Sequence, residues 1–304
     1  MTIEAVRTMD AEDLLLDENS LRQLLSEQIP HLAEMPLRRV ESSGTDNAIY
    51  RLGSRMMLRI PRRASAVVLL KKELNWLPFL EGLPLDVPRL HFRGSASSIG
   101  IDCDFGILDW MDGQIAVPEN IADPHAAACA LAHFLRALHR KTTDGAPRAG
   151  ARNSRRGVVL TELSPVVTTA IRTLSDDIDA NGARALWEAA CAARFRGPPV
   201  WLHGDLKADN LIARNGRLRG VIDWGLSAVG DPAADYATAW FWIDPSARDS
   251  FRAALDLDDD DWLRAKGWAL YSAVIALSYY RGGSNEALCR QSRLTLSRLE
   301  VLLA

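Results

Sequence analysis

Two hydrophobic patterns divide the chain near residue 108. The first part contains short apolar runs that are typical of strands, whereas apolar positions beyond it recur mainly at helical spacing. Helical patterns also cover 19–29, which begins with the capping residues Asn19-Ser20, and 64–81. We therefore predict a five-stranded antiparallel sheet with accompanying helices. The strand-like runs lie at residues 37–41, 48–53, 55–60, 92–94 and 105–108.

The second part is predicted to be mainly helical, which places the chain in the α+β class. An Ala-rich helix is expected over 125–140, and two more within 161–196. A Gly- and Arg-rich connection at 144–158 lacks interleaved aromatic residues, so we interpret it as a mobile, solvated loop and not as a nucleic-acid contact. Further helical patterns lie at 232–243, 247–255, 259–281 and 284–303.

One segment of the second part departs from helical spacing, the stretch WLHGDLKADNLIARNGRLRGVIDWG at 201–225. An apolar run leads to Asp205, and a second apolar run turns at Asn215-Gly216 and returns to Asp223. Asn-Gly between two short apolar runs is the strongest local signal for a β-hairpin. The hairpin is expected to bring Asp223 back towards Asn210 and Asp205.

The hairpin therefore gathers two acids, an amide and a lysine: Asp205, Lys207, Asn210 and Asp223. Such a set can hold metal-bound phosphates beside a hydroxyl nucleophile. The alternative is a polar loop followed by an ordinary hairpin. That alternative accounts for any one of these residues but not for their combined spacing.

The length, composition and net charge of the chain exclude some classes of function. With 304 residues, 48% of them hydrophobic and 25% charged, it has the composition of a globular protein large enough for two lobes. A net charge of −3 offers no basic surface to nucleic acid or anionic membranes. The sequence shows neither a signal-peptide pattern nor an apolar run of about 18 residues. We expect a cytoplasmic protein without nucleic-acid, membrane or protein partners.

The polar residues of 201–225 also carry a family resemblance. HxDxKxxN followed by DxG resembles the catalytic sequence of the protein-kinase-like superfamily. Gly204 stands where protein kinases have arginine, and GDPAAD follows at 230–235, which makes the chain similar to the aminoglycoside phosphotransferase family. The resemblance extends from about residue 38 to the C-terminus. It implies a bilobal protein-kinase-like fold that transfers the γ-phosphate of ATP or GTP, with Mg²⁺, to a hydroxyl of a small-molecule acceptor.

Roles for the hairpin residues follow from this resemblance. Asp205 is expected to align the acceptor hydroxyl and to take its proton late, and Lys207 to contact the transferring phosphate. Asn210 and Asp223 are expected to bind Mg²⁺. The N-lobe, the hinge and the helical C-lobe are expected at residues 1–108, 109–113 and 114–304.

The resemblance also implies nucleotide contacts. Arg59 is expected at the α- and β-phosphates, with Arg62 as the alternative, and Glu73 is expected to pair with the strand cation. An exposed Glu73 beside two lysines is the competing interpretation. Backbone groups of Asp109 and Met111 are expected to bind the base. The loop expected to lay its backbone over the phosphates contains Ser42, Ser43, Gly44, Thr45 and Asn47.

Acceptor contacts have weaker signals. The carboxylates at 258–261 suit either an anionic wall for a cationic acceptor or a solvated helix N-terminus. Asp235 also has a structural interpretation, since it lies in the first turn of a helix that starts at Gly230-Asp231-Pro232. The full set of acceptor candidates is Asp235, Asp258, Asp259, Asp260, Asp261, Tyr279, Tyr280 and Glu286.

The favoured acceptor is an aminoglycoside. A macrolide, or a metabolite such as an amino alcohol, a sugar or homoserine, remains the alternative. A pseudokinase that only binds nucleotide is disfavoured by the intact Asp205, Asn210 and Asp223. Because no long segment separates Asp223 from the next predicted helix, a protein substrate is not expected.

Overall fold

A computed structural model describes residues 16–41, 46–283 and 285–303. Its contacts divide the chain into two compact units. The first comprises the described residues up to Gly82 together with Val87–Asp112, and the second comprises Leu83–Asp86 and the described residues from Gly113 onward. The short segment Leu83–Asp86 joins the second unit because Asp86 N donates to Arg219 O at 2.8 Å and Val221 N donates to Asp86 O at 2.9 Å.

The first unit is built on the five-stranded antiparallel sheet that the sequence predicts, and this prediction is confirmed. The strand order is β1-β2-β3-β5-β4. Leu52, Leu58, Ile60 and Phe105 of these strands lie in the core, and the central strands β3 and β5 are buried along nearly their whole length. The strands are β1 (Leu37–Val40), β2 (Asn47–Leu52), β3 (Met56–Pro61), β4 (Leu90–Ser95) and β5 (Asp104–Asp109).

Two helices accompany this sheet. Helix α1 (Glu18–Gln28) has its cap two residues before Asn19, because Asp17, and not Asn19-Ser20, accepts a hydrogen bond from Ser20 N at 2.9 Å. Helix α2 (Ala64–Trp76) ends before residue 81 and continues as the 3₁₀ turn Leu77–Leu80.

The second unit is mainly helical. Its longest helix, α9, packs against α4, α5, α6, α7 and α10 and buries Trp268 among them. None of the described helices is long and apolar enough to cross a membrane. The helices are α3 (Pro124–Leu138), α4 (Ser164–Thr173), α5 (Ala180–Ala192), α6 (Ala233–Tyr236), α7 (Thr238–Phe241), α8 (Arg248–Leu255), α9 (Asp259–Tyr280) and α10 (Glu286–Arg298).

Two small antiparallel ribbons lie among these helices. One is a sheet of order β6-β8-β9, and the other pairs β7 with β10. The chain between β7 and β10 contains the whole motif that the sequence singles out. The strands are β6 (Gln114–Ile115), β7 (Val200–Leu202), β8 (Leu211–Arg214), β9 (Arg217–Val221) and β10 (Ala228–Gly230).

The connection at 144–158, expected to be mobile, is instead hydrogen-bonded to the edge of β10. Ala149 N donates to Val229 O at 2.9 Å, and Val229 N donates to Pro147 O at 2.7 Å. At the end of the same connection, Gly157 O accepts from Asp231 N at 2.9 Å. Composition alone favoured a solvated loop, but backbone pairing, which composition does not reveal, holds this segment in place.

Gly157 tests this attachment. Its φ of 82° is left-handed, and an added Cβ would collide with Leu202 and approach the backbone of Gly230 and Asp231. We predict that Gly157→Ala lowers the free energy of unfolding by about 2 kcal/mol in chemical denaturation. Gly150→Ala is the control, since a Cβ added there meets no described atom within 4 Å. Equal stability of the two variants would contradict the attachment.

Candidate active site

The β8–β9 hairpin sets the first part of the site. Asn215 and Gly216 have φ of 53° and 73°, the left-handed pair that a tight two-residue turn requires. The register places the residues that flank the hairpin side by side, and Ile222 N donates to Asn210 O at 2.9 Å. The turn therefore brings Asp223, the next residue, back to Asn210.

Asp205 is the carboxylate around which the site is arranged. Its Oδ2 accepts from Asn210 Nδ2 at 2.9 Å and lies 3.1 Å from Lys207 Nζ. Asn210 Nδ2 also donates to the backbone oxygen of Asp205 at 2.8 Å. Because both side-chain contacts use Oδ2, Oδ1 is the oxygen that the described residues leave for a hydroxyl group.

Lys207 is held in its charged form. Partial burial acts to lower its pKa, but the ion pair and hydrogen bond with Asp205, helped by the charges of Asp209 and Asp223, outweigh burial and raise the pKa. The ammonium is therefore a fixed positive charge beside Asp205. Because its side chain remains partly exposed, it can contact an anionic group that arrives from solvent.

His203 ties the two strands of the motif together from a fully buried position. Asp205 N donates to its Nδ1 at 3.2 Å, so Nδ1 is the acceptor and the ring proton belongs to Nε2. Nε2 then donates to Ile222 O at 2.9 Å, and the ring packs edge-on against Trp224 with centroids 4.7 Å apart. A neutral imidazole thus fixes the distance between the residues before Asp205 and those before Asp223.

Asp235 holds the same loop from the other side. Its carboxylate is 1% exposed and accepts from His203 N at 2.7 Å and from Gly204 N at 2.8 Å. Burial raises the pKa of Asp235, and the two hydrogen bonds from backbone amides oppose that rise. The sequence interpretation of Asp235 as an acceptor contact gives way to a loop-positioning role, because both oxygens are engaged in the interior.

Glycine is the residue type that fits position 204 of the loop. Its φ of 86° is left-handed, and a Cβ there would lie 2.7 Å from Leu226 O. The arginine that protein kinases carry at this position would therefore be excluded here by backbone geometry.

Asn210 and Asp223 have the chemistry of magnesium ligands. Both amide hydrogens of Asn210 are used on Asp205, so its side-chain oxygen is the atom left for a cation. Asp223 adopts a left-handed φ of 65° as the chain leaves the hairpin, and its charge reaches Lys207. Among the described residues, no group of three His, Cys, Asp or Glu side chains suits a metal. Two protein oxygens suffice for Mg²⁺, which commonly keeps waters and phosphate oxygens as its other ligands.

In the first unit, Arg59 and Glu73 are brought together. Arg59 Nη1 lies 2.8 Å from Glu73 Oε1 and both side chains are buried, so the exposed alternative for Glu73 does not hold. In the amide orientation that satisfies both groups, Asn47 Oδ1 accepts from Arg59 Nε at 3.1 Å and from Nη2 at 2.9 Å. Lys72, one of the two lysines beside Glu73, is also buried, and this desolvation lowers its pKa to about 8 against the influence of Glu73.

The structure describes only some of the remaining residues that were predicted to bind the nucleotide. Ser42, Ser43, Gly44 and Thr45 lie outside the described residues. Asp109 ends β5, and its carboxylate accepts from Arg89 N at 3.2 Å and lies 2.6 Å from His91 Nε2. Met111 follows in a partly buried position. A role for Asp109 and Met111 in binding a base stays a prediction.

The acidic stretch 258–261 is already engaged by the protein. Asp258 caps α9 by accepting from Asp261 N at 2.7 Å. Asp259 pairs with Arg252, Asp260 lies 3.1 Å from Arg196, and Asp261 lies 2.7 Å from Arg264. This arrangement fits the alternative of a stabilised helix N-terminus better than an anionic wall.

The aromatic acceptor candidates lie at the other end of the same helix. Tyr279 is 78% exposed and packs against Tyr280 with ring centroids 4.8 Å apart. Twenty residues of α-helix separate Tyr279 from Asp259, which corresponds to about 30 Å. Glu286 begins α10 on the surface and lies 3.5 Å from Arg290. The structure therefore does not bring the predicted acceptor residues into one site.

One buried charge was missed by sequence reasoning. Arg264 is 3% exposed and forms a two-point ion pair with Asp231, which had been interpreted only as a helix cap. The signal that could have revealed it is a lone arginine on the apolar face formed by Ala265 and Trp268.

Comparisons with known proteins place this geometry in context. The family model of the phosphotransferase enzyme family matches residues 38–268. No curated protein matches the chain. The GDP complex of wild-type aminoglycoside 2'-phosphotransferase-IIIa is similar in structure, with a TM-score of 0.70 and 18% identity over 94% of this chain and 99% of that chain.

Two further solved structures have the same fold. ADP-bound aminoglycoside phosphotransferase APH(2'')-Ib has a TM-score of 0.63 and 22% identity over 94% of this chain and 99% of that one. Macrolide 2'-phosphotransferase type I has a TM-score of 0.62 and 19% identity, with 94% and 97% of the two chains covered. The family match includes the loop that carries Asp205, the β8–β9 hairpin and the buried Asp235. The chain belongs to the phosphotransferase enzyme family, and it is a kinase-type enzyme that transfers phosphate to a hydroxyl group.

Proposed function

We propose that this enzyme is an antibiotic phosphotransferase that moves the γ-phosphate of ATP or GTP to a hydroxyl of an aminoglycoside-type acceptor. The observation that carries the proposal is the arrangement around Asp205, whose Oδ2 is fixed by Asn210 and Lys207 while Oδ1 remains for the acceptor. The cytoplasm supplies both nucleotides and is the proposed location.

Asp205 acts mainly by orientation. Its Oδ1 accepts a hydrogen bond from the acceptor hydroxyl and directs the oxygen lone pair at the phosphorus. Since phosphoryl transfer passes through a loose transition state, the hydroxyl proton moves to Asp205 late. Lys207, fixed 3.1 Å from Asp205, is positioned to contact an oxygen of the transferring phosphate.

Asn210 and Asp223 would hold Mg²⁺, which neutralises phosphate charge when it is bound. Arg59 is proposed to contact the α- and β-phosphates from the buried position set by Glu73 and Asn47. Its guanidinium retains the planar fork that suits phosphate oxygens.

Two acceptor classes have separate support. An aminoglycoside is supported by neighbours of the same fold, among them complexes with kanamycin, streptomycin and gentamicin. A macrolide or another mainly apolar acceptor is supported by the arginine partners of the 258–261 carboxylates, with which a cationic acceptor would have to compete. The macrolide enzyme has nearly the same TM-score, 0.62, as APH(2'')-Ib, 0.63.

A nucleotide-consumption assay with ATP and with GTP tests the proposal on a panel of aminoglycosides, macrolides, peptide antibiotics, choline, homoserine and aminosugars. We expect an aminoglycoside to stimulate consumption and its KM to rise several-fold with salt, because screening over about 8 Å weakens the attraction of charges. Stimulation by a macrolide with a salt-independent KM would replace the aminoglycoside proposal. Stimulation only by metabolites would remove the antibiotic proposal altogether.

The first catalytic prediction concerns Asp205. Asp205→Asn is expected to lower turnover at least about 10²-fold while nucleotide affinity changes little, because only alignment of the hydroxyl is lost. Steady-state kinetics and nucleotide titration measure the two effects. Asp176→Asn, at an exposed position between α4 and α5, is the control and should keep turnover. Near-normal turnover of Asp205→Asn would exclude this role.

The second catalytic prediction concerns the cation. Asp223→Ala is expected to abolish Mg²⁺-dependent nucleotide binding, and Asn210→Ala to raise the Mg²⁺ concentration required, since each variant removes one oxygen ligand. Calorimetric titration of nucleotide at several Mg²⁺ concentrations measures both. Tight binding that ignores Mg²⁺ in either variant would rule out that ligand.

A further inference from the structure

The buried Arg264 contacts two segments of the chain, one before and one after the loop that carries Asp205. Its Nε and Nη2 donate to the two oxygens of Asp231 at 2.8 Å and 3.3 Å, just before α6. Its Nη1 donates to Arg194 O at 2.6 Å, a few residues before β7. The guanidinium also lies over the ring of Phe195 at 5.2 Å. One side chain on α9 therefore fixes the chain on both sides of the loop.

Asp231 transmits this contact to the turn that it begins. Its Oδ1 accepts from Ala233 N at 3.0 Å, and its own N donates to Gly157 O at 2.9 Å. One helical turn later, Asp235 accepts from His203 N and Gly204 N. A displacement of Asp231 would therefore shift the carboxylate that holds the loop carrying Asp205.

We propose that Arg264 is a positioning residue for phosphoryl transfer, which sets Asp235 and thereby Asp205 through its two-point pair with Asp231. The proposal rests on the proposed function only in taking Asp205 as the residue that orients the attacking oxygen. Arg264 is buried and its guanidinium is engaged by Asp231, Asp261 and Arg194 O, so it acts through these groups and is not itself a catalytic residue.

A buried ion pair contributes little stability compared with well-packed neutral residues, because the desolvation of two charges offsets their attraction. The pair instead fixes the orientation of Asp231, because the planar guanidinium and the carboxylate meet in a single arrangement. Lysine at position 264 would keep the charge and lose this fork. A role in positioning therefore predicts that charge alone does not restore the function.

The test compares Arg264→Gln, Arg264→Lys and the double variant Asp231→Asn/Arg264→Gln. The double variant removes both charges of the Arg264–Asp231 pair and leaves Asp261, whose side chain is 28% exposed, to solvent, so its melting temperature should recover in part relative to Arg264→Gln. Arg281→Gln is the matched control, since Arg281 follows the other end of α9. Like Arg264, Arg281 pairs with an aspartate, Asp177 at 3.2 Å, and donates to a backbone oxygen, Thr173 O at 2.8 Å.

Two readouts need no acceptor, so they do not depend on the acceptor class proposed above. The first is slow nucleotide hydrolysis by water at saturating nucleotide, and the second is hydrogen exchange of the peptide covering residues 200–206. Each variant is measured well below its own melting temperature. A failure of the acceptor panel would leave both readouts intact.

We expect hydrolysis to fall up to about 10²-fold in Arg264→Gln, as small misplacements of catalytic groups do. It should stay low in the double variant despite the recovered melting temperature, and be intermediate in Arg264→Lys. Exchange should accelerate in residues 200–206 and not across the whole unit. Recovery of hydrolysis together with the melting temperature, or unchanged hydrolysis in Arg264→Gln, would overturn the proposal, as would a uniform rise in exchange.

Discussion

The hydrogen bonds from His203 N and Gly204 N to the buried carboxylate of Asp235 fix the backbone of the loop that carries Asp205, the proposed catalytic residue. A hydrogen bond to a charged group is worth about 1.5–3 kcal/mol, and an unpaired buried carboxylate is costly. The carboxylate and the two amides therefore stabilise one another only in this arrangement. The left-handed φ of Gly204 is part of the same arrangement, since a side chain at this position would meet Leu226 O.

The rest of the site follows from that fixed backbone. His203, immediately before Gly204, is neutral and bridges Asp205 N to Ile222 O, so the loop and the end of the hairpin keep a set separation. Asn210 then spans from the hairpin to Asp205, and its side-chain oxygen is the atom left for the proposed cation. Backbone groups take part in most of these hydrogen bonds. The side chains of Asn210 and Lys207 lie within about 3 Å of Asp205.

Much of this could be predicted from local sequence. The sheet follows from alternating apolar runs, and the hairpin from Asn215-Gly216, because both depend on residues that are close in the chain. The partners of Asp235 and Asp231 lie more than thirty residues away, and no local pattern identifies them. The acidic stretch 258–261 was visible as charge, and two of its arginine partners, Arg252 and Arg264, lie nearby in sequence, but Arg196 lies 64 residues from Asp260. Acceptor recognition was therefore the part that sequence could least predict.

The most direct test of the account is the turnover of Asp235→Asn beside its nucleotide affinity and melting temperature. The amide would turn an N–H donor towards one of the two backbone amides and release that side of the loop. We predict a folded protein that binds nucleotide normally and turns over at least about 10²-fold more slowly. A folded Asp235→Asn variant with wild-type turnover would show that the loop keeps its geometry without this carboxylate, and it would contradict the account.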